Sequence, residues 1–349
     1  MKQVKNLHIL FPEKFFHDYI SFVNSNFNPN EHLFLYLKYN RQTEPKAQNV
    51  FSLKYYRLGI LFYWELYRYA KRSDKIILHS LSKNKVIYFL FLFSSFRKKS
   101  VWYLWGGDLY YRIEKYSKKI HNPISERIFK KVVSGLGFIA TQVKGDVDLA
   151  ALHFGFKGKH VDCFLYPSNL FKPLVLEQKT DSTWHIQLGN SSHPSNNHME
   201  AIDRIAYLKN EDIIVHCPLS YGDKSHAALV KSYGKKVFGA KFIVYTDFMP
   251  FSEYLKFLSK MDIAIFNHWR QQGLGNIISL LGLGKTIYLR DDITSWNMLI
   301  EKGIVVFKIN DQQPLRLLTK EQAASNIKNI KYYFSMPMLI KQSDNVFGS

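Results

Sequence analysis

Short apolar runs alternate with longer stretches of helical periodicity along most of the chain, and this alternation limits the fold more than any other feature. In the first half the runs Leu7–Phe11, Leu33–Tyr36, Lys75–His79, Val101–Trp105 and Gly137–Thr141 read as strands. Amphipathic stretches at Tyr56–Arg72, Asn84–Phe96 and Ile124–Val133 lie between them. The second half repeats the scheme with strands at Trp184–Leu188, Ile213–His216, Lys241–Tyr245, Ile263–Phe266, Thr286–Leu289 and Ile304–Phe307. Its helices are expected at Asn197–Leu208, Lys224–Val237, Ser252–Ser259, Asn276–Leu283 and Lys320–Ile330. Strands separated by helices form βαβ units, so the expectation is α/β: parallel sheets with helices on both faces.

At 349 residues the chain exceeds the usual size of one domain. The polar stretch 167–182, with Pro167 and Pro173, interrupts the alternation and reads as a linker. Two Rossmann-like, doubly wound domains are therefore expected at 1–166 and 183–335, with 336–349 as a tail. Ligand crevices in such domains lie at the carboxyl ends of the strands, here expected to face a central cleft.

Charge is unevenly distributed. The chain holds 48 Lys+Arg against 28 Asp+Glu, and residues 1–175 carry 28 of the basic and 12 of the acidic ones. The first half is thus expected to face something anionic: a membrane surface, a phosphorylated ligand or nucleic acid. No nucleic-acid motif accompanies the charge and the basic residues are scattered, which argues against the last. Two cysteines, Cys163 and Cys217, make no disulfide framework and suit a reducing compartment. The most apolar stretch, Val86–Phe96, falls short of the roughly 20 residues that span a bilayer. No signal-peptide pattern opens the chain.

Three segments are suited to chemistry. After the strand ending at Leu188 comes Gly189-Asn190-Ser191-Ser192-His193-Pro194-Ser195-Asn196-Asn197-His198, then a helix. Small hydroxyl and amide residues at a helix N-terminus offer the N–H groups and dipole that a diphosphate needs. An ordinary turn with Ser195 or Asn196 as helix cap explains the same pattern. After the strand ending at Phe266 comes Asn267-His268-Trp269-Arg270-Gln271-Gln272-Gly273-Leu274-Gly275-Asn276. Arg270 suits bidentate pairing with phosphate oxygens, and Gly273 and Gly275 allow close backbone approach. In the basic half, Trp102-Tyr103-Leu104-Trp105-Gly106-Gly107-Asp108 ends a strand in Gly-Gly and an acid. Asp108 is either a helix cap or a carboxylate able to deprotonate an acceptor hydroxyl.

Other patterns carry less. Gly284-Lys285-Thr286 echoes the end of a P-loop, but Ser279 stands where its first Gly belongs. Asp146-Val147-Asp148 is formally a D-x-D, yet it follows Gly145 at a helix start, where acids meet the dipole. His185, His193, His198 and His216 lack the spacing of a zinc site. No metal or other cofactor is expected.

Taken together, these segments resemble the TDP-N-acetylfucosamine:lipid II N-acetylfucosaminyltransferase family of enterobacterial common antigen synthesis (glycosyltransferase family 56). The similar elements are Trp105-Gly106-x-Asp108-Leu109-Tyr110, Leu165-Tyr166-Pro167, Gly189-Asn190-Ser191 with Ser195-Asn196-x-His198, Pro218-x-x-Tyr221, and Arg270-Gln271-Gln272-Gly273-x-Gly275. The resemblance covers residues 100–307 in order, and the first hundred residues only in layout. It implies a GT-B fold without a catalytic metal, a dTDP-activated amino-deoxy sugar as donor, and an undecaprenyl-diphosphate-linked saccharide as acceptor. It also implies a place at the cytoplasmic face of the bacterial inner membrane, held peripherally by its anionic surface. O-antigen or capsule synthesis fits the same chemistry.

On that basis the donor is expected on Gly189, Asn190, Ser191, Ser195, Asn196, Tyr221, Tyr245, Arg270, Gln271, Gln272, Gly273 and Gly275, with Tyr245 to Met249 bordering the thymine. Trp105, Gly106 and Gly107 are expected at the acceptor side of the cleft. Asp108 is the first candidate base and His79, at the end of its strand, the second. Amphipathic stretches at Leu58–Tyr69 and Val86–Phe96 either lie on the membrane or form ordinary buried helix faces. A non-enzymatic nucleic-acid-binding protein, or an inactive nucleotide-sugar-binding scaffold, would account for the charge and the loops separately.

Overall fold

Two parallel sheets organise the residues described by the computed structural model, which are 3–13, 15–38, 47–54, 59–117, 122–173, 181–311 and 313–348. The first sheet is built from β1 (Val4–Leu10), β2 (His32–Lys38), β3 (Val50–Lys54), β4 (Ser73–His79), β5 (Ser100–Tyr103), β6 (Phe138–Ala140) and β7 (Lys159–Val161). Its order is β3-β2-β1-β4-β5-β6-β7. The second is built from β8 (Trp184–Leu188), β9 (Ile213–Pro218), β10 (Phe242–Tyr245), β11 (Ile263–Phe266), β12 (Thr286–Leu289) and β13 (Phe307–Lys308), in the order β10-β9-β8-β11-β12-β13. Each sheet starts in its middle, grows one way, then returns to grow the other way. The reversal falls between β1 and β4 in one sheet and between β8 and β11 in the other. Doubly wound sheets open their ligand crevices at such points.

Helices fill the crossovers of the first sheet: α1 (Phe16–Asn26), α2 (Gly59–Lys71), α3 (Asn84–Leu92), α4 (Gly107–Ser117), α5 (Pro123–Val133) and α6 (Lys144–Phe154). Those of the second are α7 (His198–Ile205), α8 (Lys224–Phe238), α9 (Phe251–Ser259), α10 (Leu274–Gly282) and α11 (Thr294–Glu301), and α12 (Lys320–Tyr333) follows its last strand. A last helix, α13 (Met336–Gly348), follows. The chain divides into two compact units, Met1–Leu170 with Met336–Ser349, and Phe171–Ser335. Residues 336–349 were expected as a tail; 336–348 are instead helical, and α13 packs into the first unit. The expected linker 167–182 begins with a 3-10 turn at Pro167–Asn169, and its residues 174–180 lie outside the described ones.

The two faces of the first sheet differ. Leu7, Ile9, Leu35, Ile76, Leu78 and Trp102 point to one face and form an apolar core with Phe62, Leu66, Phe89, Phe129 and Phe154 of the covering helices. On the other face the alternating positions are Asn6, His8, His32, Lys75, His79 and Tyr103, all buried. Tyr19 of α1 and Phe347 of α13 pack edge-on against His8 there. Lys75 Nζ donates to the carbonyl of Val346 at 2.6 Å. In the second unit Ile186, Val215, Phe242 and Ile263 meet Ile202 and Val230 of α7 and α8, while α10 covers β12 and carries α9 and α12.

Two edge strands escaped the sequence reading. β3 and β7 each pair on one side only, and their residues are correspondingly polar or exposed (burial runs from exposed Phe51 to buried Leu53 within β3). The stretch Val86–Phe96 became α3 plus a 3-10 segment with Val86, Ile87, Phe89 and Leu90 in the core. Of Leu58–Tyr69, residue 58 lies outside the described residues. Ser279 sits inside α10 and Thr286 opens β12, so Gly284-Lys285-Thr286 joins a helix to a strand. No helix among the described residues is long and apolar enough to cross a membrane.

Candidate functional site

The two Gly-containing loops of the second unit follow β8 and β11, the pair of strands flanking that sheet's reversal. They interlock. Asn196 Oδ1 accepts the backbone N–H of Asn190 and a ring N–H from His268 Nε2, both at 3.0 Å. The Trp269 N–H reaches the Ser195 carbonyl at 3.1 Å, and the Ser195 hydroxyl bonds the side-chain oxygen of Gln272. Asn196 Nδ2 holds Ser191 Oγ at 3.1 Å. The turns beginning at Gly189 and Arg270 therefore converge on one place.

Glycine is required at two points of this junction. Gly189 has φ 66°, and a Cβ there would stand 2.8 Å from Asn196 Oδ1 and 2.9 Å from His198 Nε2. Gly273 has φ 67°, and its Cβ would meet His268 Cε1 at 3.1 Å and Asn190 Oδ1 at 3.3 Å. Side chains rarely adopt such φ values, and here they would also collide. Among the described residues, one buried polar atom at the junction, Asn190 Oδ1, has no hydrogen-bond partner. Buried polar atoms are normally satisfied, so the unsatisfied Asn190 Oδ1 is available to a ligand. Burial and neighbouring histidines push His198 and His268 down to about 3, so both are neutral at physiological pH.

Beside the junction lies an open pocket of about 580 Å³, lined by Asn190, Pro218, Tyr221, Tyr245, Phe248, Met249 and Tyr254 among others. Asn190 belongs to both, and its amide donates to the Tyr221 hydroxyl at 2.8 Å. Tyr245 is held from behind: its hydroxyl is 2.8 Å from His216 Nδ1, and His216 Nε2 is 2.8 Å from His185 Nδ1. The pocket wall is mainly aromatic, with Phe248 strongly exposed. Of the residues expected here from the sequence, Asn190, Tyr221, Tyr245, Asp247, Phe248 and Met249 line the pocket. Ser191, Ser195, Asn196, Gln272 and Gly273 build the junction. Arg270 and Gln271 are half-buried on the second loop, and Gly275 lies exposed in the first turn of α10. Tyr254, Phe251 and Asn276 were missed. They belong to α9 and α10, where an inward aromatic or amide reads as ordinary helix.

In the first unit the expected residues gather at the carboxyl edge of the sheet. Asp108, in the first turn of α4, does more than cap it. Its carboxylate accepts from Leu81 N (2.9 Å), Trp102 Nε1 (2.8 Å), Trp105 N (3.2 Å) and Leu109 N (3.1 Å). Burial raises its pKa, while bonds from Leu81, Trp102, Ser80 and Trp105 pull it back down. Gly106, at φ 77°, makes the bend before it, and Gly107 opens α4. His79 is buried, with Nδ1 2.7 Å from the Tyr166 hydroxyl, and Trp105 Nε1 donates to that hydroxyl at 2.9 Å. Asp146 accepts from Tyr110 at 2.6 Å and Asp148 pairs with Lys144 at 3.0 Å. No cluster of three metal-binding side chains exists among the described residues.

Comparison with known proteins agrees with this architecture. A family model described as 4-alpha-L-fucosyltransferase, glycosyl transferase group 56, matches residues 12–344. Sucrose-phosphate synthase from Thermosynechococcus elongatus superposes with a TM-score of 0.66 at 9% identity, covering 99% of this chain and 98% of that one. HepE from Anabaena, solved with UDP and glucose, gives 0.66 at 10% identity, covering 98% and 99%. A glycosyltransferase from Rickettsia africae gives 0.62 at 10% identity, covering 99% and 98%. At such identities the likeness is one of fold, and the fold is GT-B.

Proposed function

The chain belongs to the 4-alpha-L-fucosyltransferase family of glycosyl transferase group 56, and we propose that it transfers an amino-deoxy sugar of the N-acetylfucosamine type from a dTDP-sugar to an undecaprenyl-diphosphate-linked saccharide. It is a glycosyltransferase. The observation that carries the donor assignment is the junction of the loops after β8 and β11, where Asn190 presents an unsatisfied oxygen and also lines a pocket rich in aromatic side chains. A nucleoside diphosphate has the matching parts. Its base stacks among Tyr245, Phe248 and Tyr254, and its phosphates meet the first turn of α10 and Arg270. The charge growing on the departing diphosphate is stabilised by those fixed donors, without a metal. That a solved neighbour binds UDP and glucose supports a nucleotide at the same kind of site.

Asp108 takes a supporting role, tying the turns after β4 and β5 around the acceptor side of the first unit. Peripheral attachment to an anionic membrane rests on α2. Its Phe62, Leu66 and Ala70 are buried, while Ile60 (80% exposed) and Trp64 (56% exposed) face solvent beside Arg68. Exposed large apolar side chains next to cations are what an interfacial helix presents to acidic headgroups. The polyprenyl-linked acceptor, enterobacterial common antigen or O-antigen in type, accounts for the +20 charge of the chain.

The deciding experiment compares dTDP, UDP and GDP in a thermal-shift titration of wild type and Arg270→Ala. Selective stabilisation by dTDP is expected, since a ligand of the native state raises the transition by mass action. Arg270→Ala should lose that shift and lower kcat/KM about 10- to 150-fold, the range of a charged hydrogen bond. A variant with wild-type turnover would remove the donor site from this loop.

A further inference from the structure

Behind the aromatic pocket of the second unit runs a line of side chains with no part yet in binding. The Tyr245 hydroxyl is 2.8 Å from His216 Nδ1, and His216 Nε2 is 2.8 Å from His185 Nδ1. His185 Nε2 lies 3.9 Å from Asp181 Oδ1. The three rings sit on neighbouring strands, β10, β9 and β8, and all four residues belong to the Phe171–Ser335 unit. His216 stacks on Tyr245 at 26° and on His185 at 15°. One end of the line, Tyr245, borders the pocket, and the other, His185, is partly exposed beside a carboxylate. Among the described residues the Tyr245 hydroxyl bonds only His216, so it keeps either its proton or its lone pairs for whatever enters the pocket.

Asp181 decides which. A neutral imidazole has one N–H, and a bare Nε2 on His185 would turn its lone pair toward the carboxylate. The neutral ring therefore holds its proton on Nε2 and accepts from His216 at Nδ1. His216 has given its Nε2–H away, is bare at Nδ1, and takes the Tyr245 O–H. The hydroxyl then offers the pocket lone pairs alone. One added proton reverses the line. The Tyr245 proton moves to His216 Nδ1, the His216 Nε2 proton moves to His185 Nδ1, and a proton from solvent replaces the one that Tyr245 gave up. The positive charge comes to rest on His185, beside Asp181. His216 ends neutral, as its burial requires, and the Tyr245 O–H is free to donate into the pocket.

We propose that His185 and His216 are positioning residues that set the hydrogen-bond sense of Tyr245, and that a nucleoside diphosphate entering the pocket takes up a proton at His185. This rests on the nucleotide reading of the pocket above. The carbonyl oxygens of a pyrimidine base and the oxygens of its phosphates only accept, so such a ligand selects the donating form of Tyr245. Asp247, in the same lining, supplies an acceptor for a base N–H, which leaves the donor's part to Tyr245. By reciprocity the protonated protein binds the nucleotide more tightly, and affinity rises as pH falls. The charged and titratable groups facing the two histidines are Asp181, Asp262, Tyr245 and Lys260, and the Phe257 ring of α9 stands edge-on to His216. The acids stand by His185 and the lysine acts on His216, so a positive charge in the line rests on His185.

The test titrates the full chain with dTDP by calorimetry at pH 8, 7 and 6, in buffers of high and low ionisation heat. Wild type should bind about fivefold or more tightly at pH 6 than at pH 8, and take up protons on binding at pH 7. The phosphates of dTDP titrate as well, so the reading is the difference between wild type and His185→Gln. That variant should show a flattened pH dependence and a smaller uptake. Tyr245→Phe should bind more weakly than wild type at pH 6 and lose the same uptake. Equal proton uptake in wild type and His185→Gln overturns the proposal. Nitrogen NMR of the histidine rings in ligand-free wild type needs neither variant nor nucleotide. As pH falls, His185 should become doubly protonated while the His216 proton moves from Nε2 to Nδ1. A His216 proton that stays on Nε2 overturns the switch even if His185→Gln fails to fold. Absence of dTDP binding at every pH removes the nucleotide from the pocket and the proton uptake with it, and is told apart because the spectra still show the switch.

Discussion

His268 Nε2 stands 3.0 Å from Asn196 Oδ1, a bond that crosses from the loop after β11 to the loop after β8. Because an amide oxygen only accepts, His268 carries a proton on Nε2. The same oxygen accepts the Asn190 backbone N–H, so one buried side chain sets the spacing of both loops. Asn196→Ala leaves two donors without an acceptor. It should cost about 2–4 kcal/mol in urea unfolding and weaken nucleoside diphosphate binding in the same titration. Unchanged stability would show that the loops do not depend on each other.

Asp108→Asn separates a building role from a chemical one. An amide has a single oxygen, so it cannot accept all four N–H groups that surround the carboxylate. The expected outcome is a loss of about 3 kcal/mol in stability, read by denaturant titration. Dependence of kcat on this substitution without any loss of stability would return Asp108 to the role of base.

Acid should unfold the protein early. Burial lowers His32 and His216 to about 4 and His198 and His268 to about 3, below the 6.5 of an unfolded chain. Between those values the unfolded state binds more protons, so stability is complete above pH 6.5 and falls as pH drops. Each such histidine contributes a slope of up to about 1.4 kcal/mol per pH unit. The fall should continue to about pH 4 for His32 and His216. A melting temperature flat from pH 7 to 5 would contradict their burial as neutral rings.

Ile60→Ser with Trp64→Ser tests the membrane surface of α2. Flotation with vesicles containing acidic phospholipid should show several-fold weaker binding, while the melting temperature stays within a degree or two, because neither side chain is in the core. Equal flotation would place the attachment elsewhere.

Much of the architecture was legible because parallel strands buried on both faces read as apolar runs. β8, β11 and β12 carry the expected bounds. Edge strands lack that signal. β7 is Lys-His-Val, and no periodicity distinguishes it from a loop. In α13 the buried positions Leu339, Gln342, Ser343, Val346 and Phe347 follow helical spacing, but two of them are polar and hide the stripe. The loops after β8 and β11 were legible as strand–loop–helix segments containing glycine. The hydrogen-bonded run from Tyr166 through His79 and His8 to His32 was not. His32 and His79 lie 24 and 71 positions from His8, and strand order brings them together. The one available hint is a histidine at an inward position of an otherwise apolar strand.

The second unit is spliced into the first. α13 seals the polar face of the first sheet through Phe347 and the Val346 carbonyl, yet it is synthesised only after 165 residues of the other unit, Phe171–Ser335, have been made. During translation that face therefore lacks the Phe347 ring against His8 and the Val346 carbonyl on Lys75, while the downstream unit can already collapse on its own. Shortening the chain before Met336 would leave the Phe171–Ser335 unit whole and the first sheet without the last helix that seals its polar face.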